Sequence, residues 1–140
     1  MKKILLGILV LVTISIACKK NKSDSDPAPT TPTVATLSGS YKISKATVFN
    51  GTTEIDATSF YPACLRDDVH KLNANLSYEL IDAGVQCNPP GNKMGTWSLT
   101  NSTTIIIDGT SGTIRKFDGT NLEITGTVNG NSGVIYYIKQ

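Results

Sequence analysis

The chain has 140 residues, 39% of them hydrophobic, 6% aromatic and 17% charged, with 12 Gly, 6 Pro, 3 Cys and a single His. That length accommodates one folded unit; 13 basic against 11 acidic residues, a formal charge of +2, is too small an imbalance for a nucleic-acid-binding face and too balanced for a polyelectrolyte tail. One imidazole and three thiols exclude a large metal or redox centre built from those side chains.

Met1-Lys2-Lys3 leads into an apolar run from Ile4 to Ala17 that ends at Cys18. Its 14 residues fall short of the roughly 20 that a spanning helix needs, and a basic start before a short apolar run is the pattern of a secretory signal peptide. The junction Ser15-Ile16-Ala17-Cys18 resembles the lipobox of bacterial lipoproteins, in which the thiol is acylated and the cysteine becomes the new N-terminus. The resemblance implies that residues 1–17 are removed, that Cys18 carries lipid, palmitate included, and that the protein is an outer-membrane lipoprotein of the cell envelope. The alternative is a soluble secreted protein with a free thiol near its start.

From Lys19 to Thr36 the chain holds three Lys, two Asp and three Pro, with only Ala28, Val34 and Ala35 apolar. Such a segment has nothing to bury and favours extended, polyproline-like chain. Residues 18–36 are therefore expected to be a lipid-anchored, disordered tether, and residues 37–140 the folded domain.

With Cys18 lipidated, Cys64 and Cys87 remain as a pair in an oxidising compartment, and one disulfide is expected between them. The 22 intervening residues fit neither a zinc pattern nor a C-x-x-C redox motif. The sharper alternative is a nucleophilic cysteine with His70 as its base, and a second thiol in an oxidising space argues against it.

After Leu37 the hydrophobic pattern has period two. Leu37, Gly39, Tyr41, Ile43, Thr47 and Phe49 alternate with Ser38, Ser40, Lys42 and Ser44, as in a half-buried strand. Asn50-Gly51 is a hairpin signal, after which residues 52–58 return. Residues 59–68 are expected to hold one short helical turn. Further strands are predicted over residues 69–72, 76–82, 95–100, 103–108, 112–117, 122–128 and 134–139, separated by Asn73, Gly84, Asn101-Ser102, Asp108-Gly109, Asp118-Gly119 and Asn129-Gly130. About nine short strands without long crossovers predict an all-β, antiparallel up-and-down meander that removes its edges by closing into a small barrel of 8–9 strands.

The inward faces are assigned Tyr41, Tyr78, Trp97 and Tyr136, with Ile43, Leu76, Leu80, Leu99, Leu122, Ile124 and Ile138 among the aliphatic residues. A barrel of this size either fills itself with side chains or holds one small ligand. The opening Leu37-Ser38-Gly39-Ser40-Tyr41-Lys42-Ile43 resembles the Gly-x-Trp first strand of lipocalins, with Tyr41 in place of Trp, and Gly95-Thr96-Trp97 repeats the pattern with the Trp present. With Cys64, Asp67-Asp68 and Cys87, residues 37–140 are similar to small lipocalin-like domains of Gram-negative lipoproteins. That resemblance implies a binding module, and Tyr41, Tyr78, Trp97 and Tyr136 are the candidate contacts for a small apolar or amphipathic ligand in the barrel mouth. The alternative function is protein contact, by an envelope assembly factor or a secreted-enzyme inhibitor, through the disulfide-held region 61–95.

No cofactor or metal motif occurs, and no catalytic residue is assigned. His70 follows Asp67-Asp68, but sequential carboxylates point to opposite sides of an extended chain and are expected to cap a turn beside Cys64. The loop Gly91-Asn92-Lys93-Met94-Gly95 precedes a strand, so it lacks the helix terminus that binds phosphate. A monomer with no nucleic-acid partner is expected. The 37–140 segment carries eight basic against nine acidic residues, so the net positive charge belongs to the leader and tether.

Overall fold

A computed structural model of the chain describes residues 27–128 and 130–140. The expected leader, Cys18 and the first part of the tether lie outside the described residues. Among the described residues, no helix is long and apolar enough to cross a membrane.

The first element is a single helical turn, α1 (Val34–Leu37). Thr33 caps it by accepting from the Thr36 amide at 3.1 Å, while Thr36 Oγ1 accepts from the Thr33 amide at 2.9 Å. This turn occupies the last part of the segment expected to be extended. Leu37 is fully buried, Val34 packs against the core, and the Thr30 amide donates to the Phe117 carbonyl at 2.8 Å.

Nine strands follow: β1 (Gly39–Asn50), β2 (Thr53–Asp56), β3 (Val69–Leu72), β4 (Ser77–Ile81), β5 (Lys93–Asn101), β6 (Thr104–Ile107), β7 (Thr110–Phe117), β8 (Asn121–Val128) and β9 (Asn131–Lys139). A 3₁₀ turn (Thr58–Phe60) and α2 (Ala63–Arg66) lie between β2 and β3. Every pairing is antiparallel, and β9 returns to β1, closing β1 and β3–β9 into an eight-stranded barrel with β2 as an extra strand. One edge of β1 pairs β9 over Tyr41–Val48; the other pairs β3 over Gly39–Tyr41 and β2 over Thr47–Asn50. Between those partners the Ala57 amide bonds the Ala46 carbonyl at 2.9 Å and Thr58 Oγ1 accepts from the Ala46 amide at 3.0 Å. The β1 edge is thus satisfied even where β3 has diverged.

The turns use the chemistry their residues suggest. Asp108 and Gly109 both have left-handed φ, 49° and 77°, which suits a two-residue hairpin turn between strands of right-handed twist. Asn101 Oδ1 accepts from the Thr103 amide at 2.9 Å and Asp118 Oδ1 from the Thr120 amide at 2.9 Å. Leu76 also has left-handed φ, 68°; it belongs to the β3–β4 turn and is 40% exposed, not an inward member of β4.

Strand direction gives the barrel two distinct ends. The β3–β4, β5–β6 and β7–β8 turns lie at one end with α1, where Leu37, Tyr41, Leu72, Trp97 and Leu122 are nearly inaccessible. Burying each large side chain contributes about 1.5–3 kcal/mol. At the opposite end lie the β6–β7 turn, the 57–68 segment and the 82–92 loop, the last two joined by the Cys64–Cys87 disulfide.

Two inward assignments fail in β9. Leu122 pairs Tyr137 and Ile124 pairs Ile135, so the core face of β9 carries Ile135 and Tyr137, whereas Tyr136 lies outside and Ile138 is 39% exposed. The physical reason is that residues 134–138 are all apolar, so alternation assigns no phase there. A register irregularity between Ile43 and Lys45 also shifts the alternation of β1 partway along.

Candidate functional site

The barrel is filled at its α1 end and hollow at the other. Around Tyr41, Leu72 and Leu122 the residual void is about 10 Å³, barely the room one water needs. Beyond it a cavity of about 270 Å³ opens toward the β6–β7 turn. Five aliphatic side chains, Leu80, Ile105, Ile107, Ile124 and Ile135, form its walls, and His70, Tyr78 and Tyr137 form its floor.

Glycines keep this space open. Gly112 lets β7 approach β8, since a Cβ there would overlap the Ile124 side chain. Gly126 also lines the cavity, and a Cβ at that position would meet nothing nearer than the Ser111 carbonyl at 4.0 Å.

The floor is a small polar group set within apolar walls. His70 Nδ1 and the Tyr78 hydroxyl share a hydrogen bond of 2.9 Å, and the Tyr137 ring stands edge-on to the imidazole at 5.2 Å between centroids. Burial lowers the His70 pKa to about 4, so the ring is neutral near pH 7. Burial, then the charges of Asp108 and Asp68, pushes Tyr78 up to about 12, and burial likewise raises Tyr137. No described carboxylate hydrogen-bonds the imidazole. At the rim, Lys93 and Asp108 form an ion pair, beside Thr110, Ser111 and Thr127.

Of the four residues assigned to ligand contact from the sequence, Tyr78 alone lines this cavity. Tyr41 is 1% exposed, bonds the Leu37 carbonyl through its hydroxyl at 2.7 Å and borders only the small void. Trp97 is equally buried, with Nε1 donating to the Asn73 carbonyl at 2.8 Å. Tyr136 bonds Glu54 Oε2 at 2.6 Å and Arg115 at 2.8 Å on the outer surface. Sequence reasoning placed Leu80 and Ile124 inward but missed Tyr137, His70 as a floor residue, and Ile105, Ile107 and Ile135 of the walls; the run Ile105-Ile106-Ile107 marks a buried strand but does not say which members face a void.

The disulfide-held loop is stapled by carboxylates. Cys64 and Cys87 are bonded, with S–S at 2.05 Å. Asp82 Oδ2 accepts from the amides of Cys87 at 3.2 Å and Gly91 at 2.8 Å, and Asp67 Oδ2 accepts from the Val85 amide at 2.7 Å. Asp68, 1% exposed, accepts from the Ala83 amide and has its pKa raised by burial and by the charges of Asp82 and Asp67. Asp67 and Asp68 therefore hold the backbone of the 82–92 loop, across the disulfide from their own segment, and do not cap a turn beside Cys64 as their sequence position suggested. Among the described residues, no group of three or more His, Cys, Asp or Glu is placed to hold a metal ion.

The chain matches no protein-family model and no curated protein.

Proposed function

We propose that the protein is a binding module of the bacterial envelope, anchored through lipid on Cys18, that holds one small apolar or amphipathic ligand in the open end of a lipocalin-like barrel. The observation that carries this reading is the cavity of about 270 Å³ with aliphatic walls and a few polar groups, the composition of small-molecule sites. A barrel without a ligand role gains stability by filling such space, and here the filling stops halfway along. The chain from Cys18 joins at the closed end, through α1 and Thr30, so the mouth lies at the end opposite the tether. The likeness of Gly39-Ser40-Tyr41 and Gly95-Thr96-Trp97 to lipocalin strands adds support for the architecture, and fold alone does not choose the ligand.

The test is native mass spectrometry of the mature protein after incubation with envelope extract. One bound small molecule per chain is expected in the wild type and a marked loss of it in Gly126→Leu, whose side chain projects into the cavity and narrows it. An unliganded wild type, or a species that persists undiminished in Gly126→Leu, would count against the cavity. Anchoring is tested separately: Cys18→Ser should abolish palmitate labelling, and globomycin should cause a larger precursor to accumulate.

A second reading, contact with a protein through the 61–95 region, is favoured by one observation. Val85 and Met94 are 60% and 79% exposed beside the disulfide-held loop, and Phe60, just before that region, is 65% exposed. Crosslinking in the envelope that is unchanged by Val85→Ser with Met94→Ser would count against it.

A further inference from the structure

We infer that the cavity takes an uncharged, compact molecule of about two aromatic rings that carries a hydroxyl or carbonyl group, and that this group sits on the floor between His70 and Tyr137. This inference rests on the cavity reading above and narrows its ligand class.

Size is the first argument. A dry apolar cavity of about 150 Å³ holds one benzene ring, and this one is about 270 Å³. A two-ring molecule fits within it, whereas a full-length acyl chain would have to extend out through the mouth.

Charge is the second. The two ionised side chains that line the space, Lys93 and Asp108, are paired with each other at the rim. His70 is neutral near pH 7, and Asp68, whose carboxylate acts on Tyr78, disfavours an anion near the floor. A buried ammonium or carboxylate would find no free counter-charge among the described lining residues.

Polarity of the floor is the third. One nitrogen of His70 bonds Tyr78, while its other ring nitrogen and the Tyr137 hydroxyl make no hydrogen bond to any described residue. These two groups together offer a donor and an acceptor, since either tautomer of the imidazole is available. A pure hydrocarbon pressed onto the floor would leave both without a partner; a hydroxyl or carbonyl satisfies at least one.

Matched two-ring probes test this. Binding of naphthalene, 2-naphthol and 2-naphthoate to the mature protein is measured by calorimetry at pH 7, alongside Tyr137→Phe, His70→Phe and Gly126→Leu. We expect 2-naphthol to bind at least ten-fold more tightly than naphthalene and 2-naphthoate to bind most weakly. Tyr137→Phe, which removes one oxygen and keeps the ring, should reduce the naphthol preference to about three-fold or less without weakening naphthalene, and His70→Phe should do the same. Gly126→Leu should markedly weaken binding of all three. Equal affinity for naphthalene and naphthol, tightest binding of naphthoate, or an unchanged preference in Tyr137→Phe overturns the ligand class and leaves the cavity reading standing. Failure of all three probes to bind the wild type, or binding that is undiminished in Gly126→Leu, overturns both.

Discussion

Gly126 and Gly133 face each other across the β8–β9 pair, yet only one of them has room for a side chain. A Cβ on Gly133 would overlap the Thr47 carbonyl oxygen, a backbone atom fixed by the β1–β9 pairing, and would crowd the Val128 side chain at 3.0 Å. A Cβ on Gly126 meets nothing nearer than 4.0 Å, because it projects toward the cavity. Gly133→Ala should therefore cost about 1–3 kcal/mol or more through overpacking. Gly126→Ala should be neutral, or stabilising by up to about 1 kcal/mol through the lower entropy of the unfolded chain. Urea unfolding midpoints of the two variants read the contrast; equal losses would mean that the hollow end of the barrel is not hollow.

Acid should weaken the fold through His70. Its folded pKa is about 4, held down by burial, against an ordinary value of 6.5. The unfolded chain takes up the proton first, so stability is full above about pH 6.5, falls as the pH drops toward 4 and levels off below that. The contribution is about 3 kcal/mol for a shift of this size. Asp68 acts in the opposite sense, since its raised pKa favours the folded state as it becomes protonated. His70→Gln isolates the imidazole: the gap in unfolding midpoint between wild type and variant should shift in the variant's favour between pH 7 and pH 4.5. A gap independent of pH would show that His70 titrates normally.

Much of the architecture was legible because it depends on local chemistry. Each of the nine strands sits close to a period-two segment, and Asn50-Gly51, Asp108-Gly109 and Asp118-Gly119 each mark a turn because their residues tolerate left-handed φ or bond their own backbone. The pair Cys64–Cys87 was expected because these are the two thiols left once Cys18 is set aside, and the structure bonds them. Phase was not legible wherever both faces of a strand are apolar, which is why Tyr136 and Tyr137 exchanged places. The hollow end was not legible either. Whether Ile105, Ile107, Ile124 and Ile135 meet one another or line a space depends on barrel diameter and on Gly112 and Gly126, and period-two alternation is the same in both cases.

The disulfide should contribute by loop closure. Cys64 and Cys87 are 23 residues apart, and constraining a loop of that length in the unfolded chain is worth roughly 3 kcal/mol. The double variant Cys64→Ala, Cys87→Ala should lose about that much in thermal or urea unfolding. The barrel itself should persist, because the 82–92 loop stays tied to Asp67 and Asp82 by the Val85, Cys87 and Gly91 amides and no strand pairing depends on the bridge. Near-ultraviolet circular dichroism of Trp97, buried at the far end, should be unchanged at pH 7. Collapse of that signal would mean that the loop organises the whole sheet.

On the outer surface one carboxylate ties the extra strand to the barrel. Glu54 of β2 accepts from Tyr136 of β9, from Arg115 of β7 and from Thr47 of β1, and Arg115 also bonds Glu123. These bonds, Tyr136 first and Arg115 next, lower the Glu54 pKa to about 2. Val128, Val134, Ala46 and Ala57 are also fully buried although they lie outside the main core cluster. A depressed carboxylate pKa means that its stabilising effect is complete above about pH 4.5 and is lost as the pH falls toward 2. Tyr136→Phe should bring the Glu54 titration, followed by carboxyl NMR, back toward its ordinary range, and should cost about 1 kcal/mol at pH 7. Arg115→Ala should move the titration the same way. Glu54 titrating near 4.5 in the wild type would show that β2 is held by its backbone pairing with β1 alone.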